Sequence, residues 1–298
     1  MQYRSLGSSA LEVSEISFGC MSLENDMQQN AALVKAALDK GINFFDTADL
    51  YNKGENEVMV GHLLKPYRKQ VIIATKVGNQ WRADGNGWDW NPTKAWILSA
   101  VEESLRRLQT DYIDLYQLHG GTLEDNIDET IEAFELLLQR GKIRYYGISS
   151  IRPNVIKEYI SRSRIVSVMM QHSLLDRRPE ESCLSLLQQH NIGVLARGGL
   201  AKGLLAGKAA DAYLDYSRDE VAAAAAAIAQ IAGPHGTAAQ TALQYVLAQP
   251  AITSAVAGIR TMNQLQNLLT ITSTPRLSAD EILQLQQAIP ANYYQQHR

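Results

Sequence analysis

The sequence predicts an α/β protein folded as a (β/α)8 barrel, a TIM barrel, and three observations carry that expectation. Short apolar runs alternate with amphipathic helical patterns along the chain. The runs number eight, and polar residues recur near the C-terminal ends of several of them. A doubly wound sheet is the competing architecture. No stretch reads as a domain linker, however, so residues 1–298 are expected to form one domain with a sizeable core.

The elements follow in order. The first strand is "EISFGC" (15–20), followed by a helical pattern over 28–40. The second, "NFFDTA" (43–48), starts just after the helix-stopping Gly41; its aromatic and β-branched run "INFF" ends on an acid, Asp46. "QVIIATKV" (70–77) is the third and carries Lys76 near its end. Residues 79–93, "NQWRADGNGWDWNPT", read as a loop by their Gly and Asp spacing. The helix over 93–108 takes Asn91 as its cap and Pro92 as its first residue. The fourth strand, "YIDLYQLH" (112–119), closes on His119, and a helix is expected over 126–140. "IRYYGIS" (143–149) and "VSVMMQHS" (166–173) are the fifth and sixth, the latter with Gln171 near its end; a helix over 178–190 follows. "IGVLAR" (192–197) is the seventh. The alanine run at 221–233 then favours a helix over 219–231 by intrinsic propensity. "ITSAVAGI" (252–259) is the eighth.

Composition narrows the function classes. With 46% apolar and 20% charged residues the chain reads as globular, and a net charge of −3 leaves no electrostatic footprint for nucleic acid or an anionic membrane. Cys20 and Cys183 are far apart and belong to no Cys/His cluster, so neither a metal nor a disulfide framework is expected. The N-terminal segment lacks a signal-peptide core and no run approaches a membrane span; a cytoplasmic location is the expectation.

In a barrel, functional residues belong at the C-terminal ends of strands. Asp46, Lys76 and His119 meet that condition at three consecutive strands, and Tyr51 lies in the loop after the second. Each has a bland reading taken singly: Asp46 and Lys76 as a structural ion pair, Tyr51 as a loop anchor, His119 as a satisfied core histidine. Together they describe a site. A tyrosine hydroxyl titrates near ~10 and is a poor acid at neutral pH. A lysine ammonium beside it favours the phenolate, and an aspartate keeps that ammonium charged. A histidine adds a hydrogen bond to a carbonyl oxygen. Such a site protonates an oxygen that has just gained electrons. No side chain supplies hydride, so a cofactor must.

At these residues the chain resembles the aldo-keto reductase family, of the bacterial general type. "GINFFDTADLY" is similar to the family's G-x-x-x-x-D-T-A-x-x-Y segment, with Gly41, Asp46 and Tyr51 in register; "ATK" supplies Lys76 and "DYIDLYQLH" supplies His119. The likeness runs from "YRSLGSSALEVSEISFG", which resembles the family's N-terminal β-hairpin and first strand, to "VAGIRTMNQLQN". It implies a catalytic tetrad of Asp46, Tyr51, Lys76 and His119. It also implies a nicotinamide dinucleotide lying extended over the barrel mouth, which accords with the absence of any G-x-G-x-x-G for a Rossmann site.

The resemblance further implies cofactor contacts. Gly19, Met21 and Asp46 are among them, and Ser149 and Gln171 hold the nicotinamide carboxamide, with Ser150 replacing a common asparagine. "LARGGLAKGLLAGK" (195–208) is similar to the segment that wraps the pyrophosphate, bringing in Arg197, Gly198, Leu200, Lys202, Gly203 and Lys208. Arg197 replaces the ring that often stacks on nicotinamide, and Gly198 and Gly199 replace a stiffer Ser-Pro. "YSR" carries Arg218 toward the adenosine end. "GIRTMNQLQNL" places Gly258, Arg260, Gln264 and Asn267 there, with Asn267 and Leu268 where relatives have Glu-Asn. Arg260, near a helix N-terminus, suits a 2′-phosphate, so NADPH (NADP+ when oxidised) is expected over NADH.

The substrate is expected to be a small aldehyde or ketone, bound against Met21, Tyr51, Trp81 and His119. Trp81, Trp88 and Trp90, three of the four tryptophans, wall the pocket or pack under their loop, and from the short tail "ANYYQQHR" the long substrate-specifying loop of some relatives is not expected. Two rivals stand beside this reading. A barrel aldolase with Lys76 as Schiff-base amine explains the lysine but not its companions. A redox-sensing partner subunit that binds NADPH and turns over very slowly explains the motifs without a rate. Oligomeric state is left open.

Overall fold

The computed structural model describes residues 1–234, 236–269, 271 and 274–298. Strands β1 (Tyr3–Ser5) and β2 (Glu12–Ser14) form an antiparallel N-terminal hairpin. The barrel strands are β3 (Ile16–Gly19), β4 (Phe44–Asp46), β5 (Ile72–Val77), β8 (Ile113–Leu118), β9 (Ile143–Ser149), β10 (Ser167–Gln171), β11 (Gly193–Arg197) and β12 (Ile252–Gly258). They close in chain order, all parallel, with β12 returning to β3. Between β5 and β8 lie two further strands, β6 (Asn79–Trp81) and β7 (Trp88–Trp90), paired antiparallel. All eight predicted strands are present. Their β-branched and aromatic runs suit strands buried on both faces, one against the barrel interior and one against helices.

That two-sided burial follows the period of two. Phe44, Ala74, Leu115, Met169 and Leu195 pack in one interior cluster with Leu6 and Val13 of the hairpin. Their chain neighbours Phe45, Ile73, Tyr116, Met170 and Ala196 pack outward with helical residues. Leu6 and Val13 thus plug the barrel from the end opposite the strand C-termini. Gly7 makes that plug possible: its φ is +56°, and a β-carbon there would lie 2.3 Å from the Val166 carbonyl oxygen.

The outer layer comprises α1 (Met27–Asp39), α2 (Glu55–Leu64), α3 (Lys94–Leu108), α4 (Ile127–Gln139), α5 (Pro153–Arg162), α6 (Cys183–Gln189), α7 (Arg218–Ala232), α8 (Ala238–Leu247), α9 (Met262–Leu269) and α10 (Ala279–Ala288). Helices α1, α4 and α7 begin and end within a residue of the predicted spans. Three details differ. The cap of α3 is Thr93, whose hydroxyl accepts from the Trp96 amide, while Asn91 accepts from Thr93 and acts one step earlier. The helix expected over 178–190 is broken, because Pro179 sits in a 3-10 turn over Arg178–Glu181 and Ser182 is non-helical before α6 begins. Residues 79–93 are not all loop. Asn79–Trp81 and Trp88–Trp90 pair as a hairpin whose turn uses Gly85 (φ +72°) and Gly87 (φ +102°). Among the described residues no helix is long and apolar enough to cross a membrane, and no group of three His, Cys, Asp or Glu residues is arranged to hold a metal.

Candidate active site

Because all barrel strands run parallel, their C-terminal ends share one rim. Each strand delivers one of the predicted site residues to it: Gly19 ends β3, Asp46 ends β4, Lys76 is penultimate in β5, and His119 follows β8. Ser149, Gln171, Arg197 and Gly258 end β9, β10, β11 and β12. No single element dictates this; closure brings together residues up to 239 positions apart in the chain, from Gly19 to Gly258.

Four side chains meet at the β4–β5–β8 sector. The Lys76 ammonium, 1% exposed, donates to Asp46 Oδ2 at 2.7 Å, to the Thr47 carbonyl at 2.7 Å and to the Tyr51 hydroxyl oxygen at 3.4 Å. It also lies 5.0 Å from the centre of the Tyr51 ring. The His119 ring meets Tyr51 edge-on, with centroids 5.9 Å apart and planes at 85°. Tyr51 opens the turn Tyr51–Gly54.

The electrostatics follow from burial and proximity. Burial works against the Lys76 ammonium, but Asp46 and Tyr51 outweigh it and hold its pKa above the ordinary lysine value. Burial pushes the Asp46 carboxyl up, and Lys76 at contact opposes that push. The two groups are in contact and out of solvent, so removing one partner alone would leave the other buried without its counter-charge, a change that costs about 3–5 kcal/mol. Burial, then the charges of Lys76 and Arg197, lowers the pKa of His119 to about 3, so its imidazole is neutral. The same arrangement weakens the aldolase reading: an amine held charged by three acceptors is a poor carbonyl nucleophile.

Other residues around the site carried no sequence signal of their own. Gln117 pairs in register with Lys76 across β5 and β8 and is fully buried. Its amide atoms, Asp46 Oδ1 and His119 Nδ1 are buried without a hydrogen-bond partner among the described residues. Asn79 donates to the His119 carbonyl at 3.3 Å. Thr47 and Asn56 link the β4 end to the Cys20 carbonyl through contacts of 2.6 and 2.9 Å. Gln117, Asn79, Thr47 and Asn56 looked like ordinary polar positions of strands, loops and helices, and only their placement distinguishes them.

Several of the predicted cofactor residues stand at strand ends on the same rim. Gln171 Oε1 accepts from Arg197 Nη1 at 3.1 Å, and Gln171 Nε2 donates to the Tyr213 hydroxyl at 2.9 Å. Tyr213 is a neighbour that sequence reasoning missed. The segment after β11 curls through left-handed residues Gly198 (φ +74°), Ala201 (φ +45°), Lys202 (φ +57°), Gly203 (φ +92°) and Gly207 (φ +95°). Lys202 and Lys208 stand exposed along it, positive charges that suit a pyrophosphate. Leu200 is half-buried beneath it. Arg218, capped by Ser217, opens α7 and is exposed. Arg260 is exposed just before α9, where its amide donates to Gln264 Oε1 at 2.8 Å. Asn267 is half-buried on α9, and Leu268, its neighbour, belongs to the core. The residues present thus fit an extended dinucleotide: polar strand ends, a cationic backbone curl, and an arginine at a helix start.

The tryptophans divide. Trp81 is half-buried, donates to the Leu50 carbonyl at 3.3 Å and is overlain by Lys53, placing it beside Tyr51. Trp90 packs on Gly78 and Gly120 and donates to Asp125 at 2.8 Å, a structural position. Trp88 is 47% exposed. A cavity of about 440 Å³ opens against Met21, Leu50 and Tyr51. Met21 itself is 67% exposed.

The profile of the aldo/keto reductase family matches residues 15–290. The chain is 50% identical to the uncharacterized oxidoreductase YqkF of Bacillus subtilis over the whole of both chains. It is 35% identical to the aldo-keto reductase YhdN of the same organism over 72% of this chain and 66% of that one. Among solved structures, the holo form of aldo-keto reductase AKR11C1 from Bacillus halodurans superimposes with a TM-score of 0.95 at 50% identity, covering 100% of this chain and 99% of that one. The glycerol dehydrogenase AKR11B4 from Gluconobacter oxydans gives 0.87 at 27% identity, covering 99% and 98%. With the barrel, its rim and these likenesses together, the chain belongs to the aldo/keto reductase family, and is an NAD(P)H-dependent oxidoreductase acting on carbonyl groups.

Proposed function

We propose that the chain reduces small aldehydes or ketones to alcohols with NADPH, and that Tyr51 gives the proton. The observation that carries this reading is the buried Lys76 ammonium, held by Asp46 at 2.7 Å and reaching the Tyr51 oxygen at 3.4 Å. The dinucleotide supplies the hydride. The protein's own residues do the rest. Neutral His119 donates a hydrogen bond to the carbonyl oxygen and orients it toward Tyr51. As negative charge develops on that oxygen, the Tyr51 hydroxyl passes its proton to it, and Lys76 stabilises the phenolate left behind. Asp46 keeps Lys76 charged and aimed. Met21 and Trp81 present apolar surface that excludes water from the reacting oxygen.

Ser149 and Gln171 would hold the carboxamide, Gln171 exchanging one of its present partners, with Gly19, Met21 and Arg197 flanking the ring. Gly198, Leu200, Lys202, Gly203 and Lys208 would carry the pyrophosphate. Gly258, Gln264, Asn267, Arg218 and Arg260 would take the adenosine end, Arg260 pairing with the 2′-phosphate. Tyr51→Phe tests the chemistry, because it keeps the ring and removes only the hydroxyl. Turnover should fall by about 10²–10⁴-fold with NADPH binding retained. Near-native kcat in a folded, cofactor-binding variant removes Tyr51 from the reaction.

A further inference from the structure

The Tyr51 hydroxyl is carried on strained backbone. Asn52, Lys53 and Gly54 follow it with φ of 48°, 55° and 89°, three successive left-handed residues of which two bear side chains. Such a path persists only when its surroundings over-determine it. One arginine is part of those surroundings. The Arg107 side chain of α3 lies directly on the Gly54 α-carbon, where a β-carbon would stand 2.9 Å from Arg107 Cδ and 3.0 Å from Nε. Arg107 in turn is anchored: Nε and Nη2 each lie 2.7 Å from Glu57 Oε2, and Nη2 donates to Ser104 at 3.3 Å. Glu57 is fully buried, and its other oxygen accepts from Thr75 Oγ1 at 2.5 Å. Thr75 immediately precedes Lys76 on β5. One buried ion pair therefore joins the turn that carries Tyr51 to the strand that carries Lys76. Helix α2 also packs closely on the end of α3, since a β-carbon at Gly61 would lie 2.5 Å from the Arg107 carbonyl oxygen.

We propose that Arg107, through Glu57 and Gly54, is a positioning residue that sets the Tyr51 hydroxyl against the Lys76 ammonium. This rests on Tyr51 as the proton donor. Neither Arg107 nor Glu57 touches the mouth, so their effect belongs in kcat and not in binding.

Arg107→Met alone would leave Glu57 as a buried, unpaired carboxylate. The test therefore removes both charges, as Arg107→Met with Glu57→Gln, in the native chain and in Tyr51→Phe. In the native background kcat should fall roughly 10- to 100-fold, as misplacement of a reacting group does, while aldehyde KM and NADPH Kd stay within about twofold. In Tyr51→Phe the same pair should cost less than about twofold further, because the group it positions is already gone. Native kcat in the folded paired variant, or an equal loss in both backgrounds, overturns the proposal. Should the paired variant not fold, Gly54→Ala strikes the same contact from the turn, with the same expected pattern and the same overturning results. Tyr51→Phe alone separates the two readings: native turnover there rejects the proton donor itself, whereas additive losses reject only the clamp.

Discussion

Burial and the charges of Lys76 and Arg197 pull the His119 pKa to about 3, far below an ordinary histidine near ~6.5. The unfolded chain therefore binds a proton between those values that the folded chain refuses. Stability from this residue is complete above the unfolded pKa and is lost as pH falls from about 6.5 toward 3. The ring still reaches solvent at the open mouth, so water screens part of the effect. Urea unfolding at pH 7 and pH 4.5 should show a larger loss for the native chain than for His119→Gln. Equal losses would mean the imidazole is not held neutral. At this scale the sequence was legible where chemistry and position coincide, as at Asp46, Lys76 and His119. Gln117 and Tyr213 were not, since an amide inside an apolar strand and a tyrosine in a loop have no local signature until their neighbours are known.

The β6–β7 hairpin shows how an element sorts like residues into different tasks. Pairing of Trp81 with Trp88 and of Asn79 with Trp90 sends the three indoles to different environments. The Trp90 ring packs against Gly78 and Gly120, which follow β5 and His119; a β-carbon at Gly78 would come within 2.6 Å of its ring. Trp90→Ala should lower unfolding free energy by about 3 kcal/mol, the low end for such truncations because the ring is only partly buried. Trp81 contacts Leu50 and Lys53 on either side of Tyr51. Trp81→Ala should change the ratio of kcat/KM for bulky against small carbonyls and leave NADPH affinity unchanged. An unaltered ratio with reduced stability would assign Trp81 to packing, like Trp90. The sequence placed these tryptophans in a loop, because pairing across a six-residue gap depends on glycine turns that local periodicity does not reveal.

Across the whole molecule, the proposed cofactor path runs from the tetrad on β4, β5 and β8 to Arg260 at the start of α9. Each end can be perturbed without the other. Arg260→Ala should raise the NADPH Kd about tenfold or more, since a charge-assisted phosphate contact contributes roughly 1.5–3 kcal/mol, and leave NADH nearly unchanged. Equal weakening of both dinucleotides, or a native preference for NADH, would detach Arg260 from the 2′-phosphate.

What the sequence by itself determined was the alternation of eight strands with helices, and therefore which residues stand at strand ends. Hydrophobic period and turn residues are local properties, and a chain carries them before it folds. The candidate site was legible because Asp46, Lys76 and His119 each stand at or near the end of their own run, with Tyr51 in the loop that follows the first of them. Tertiary structure alone decided what supports that rim. Arg107 lies fifty residues from Glu57, and Leu6 meets Leu195 only through the barrel interior. These contacts exist because closure in chain order brings distant faces to van der Waals distance, and no local pattern encodes which side chain will meet which.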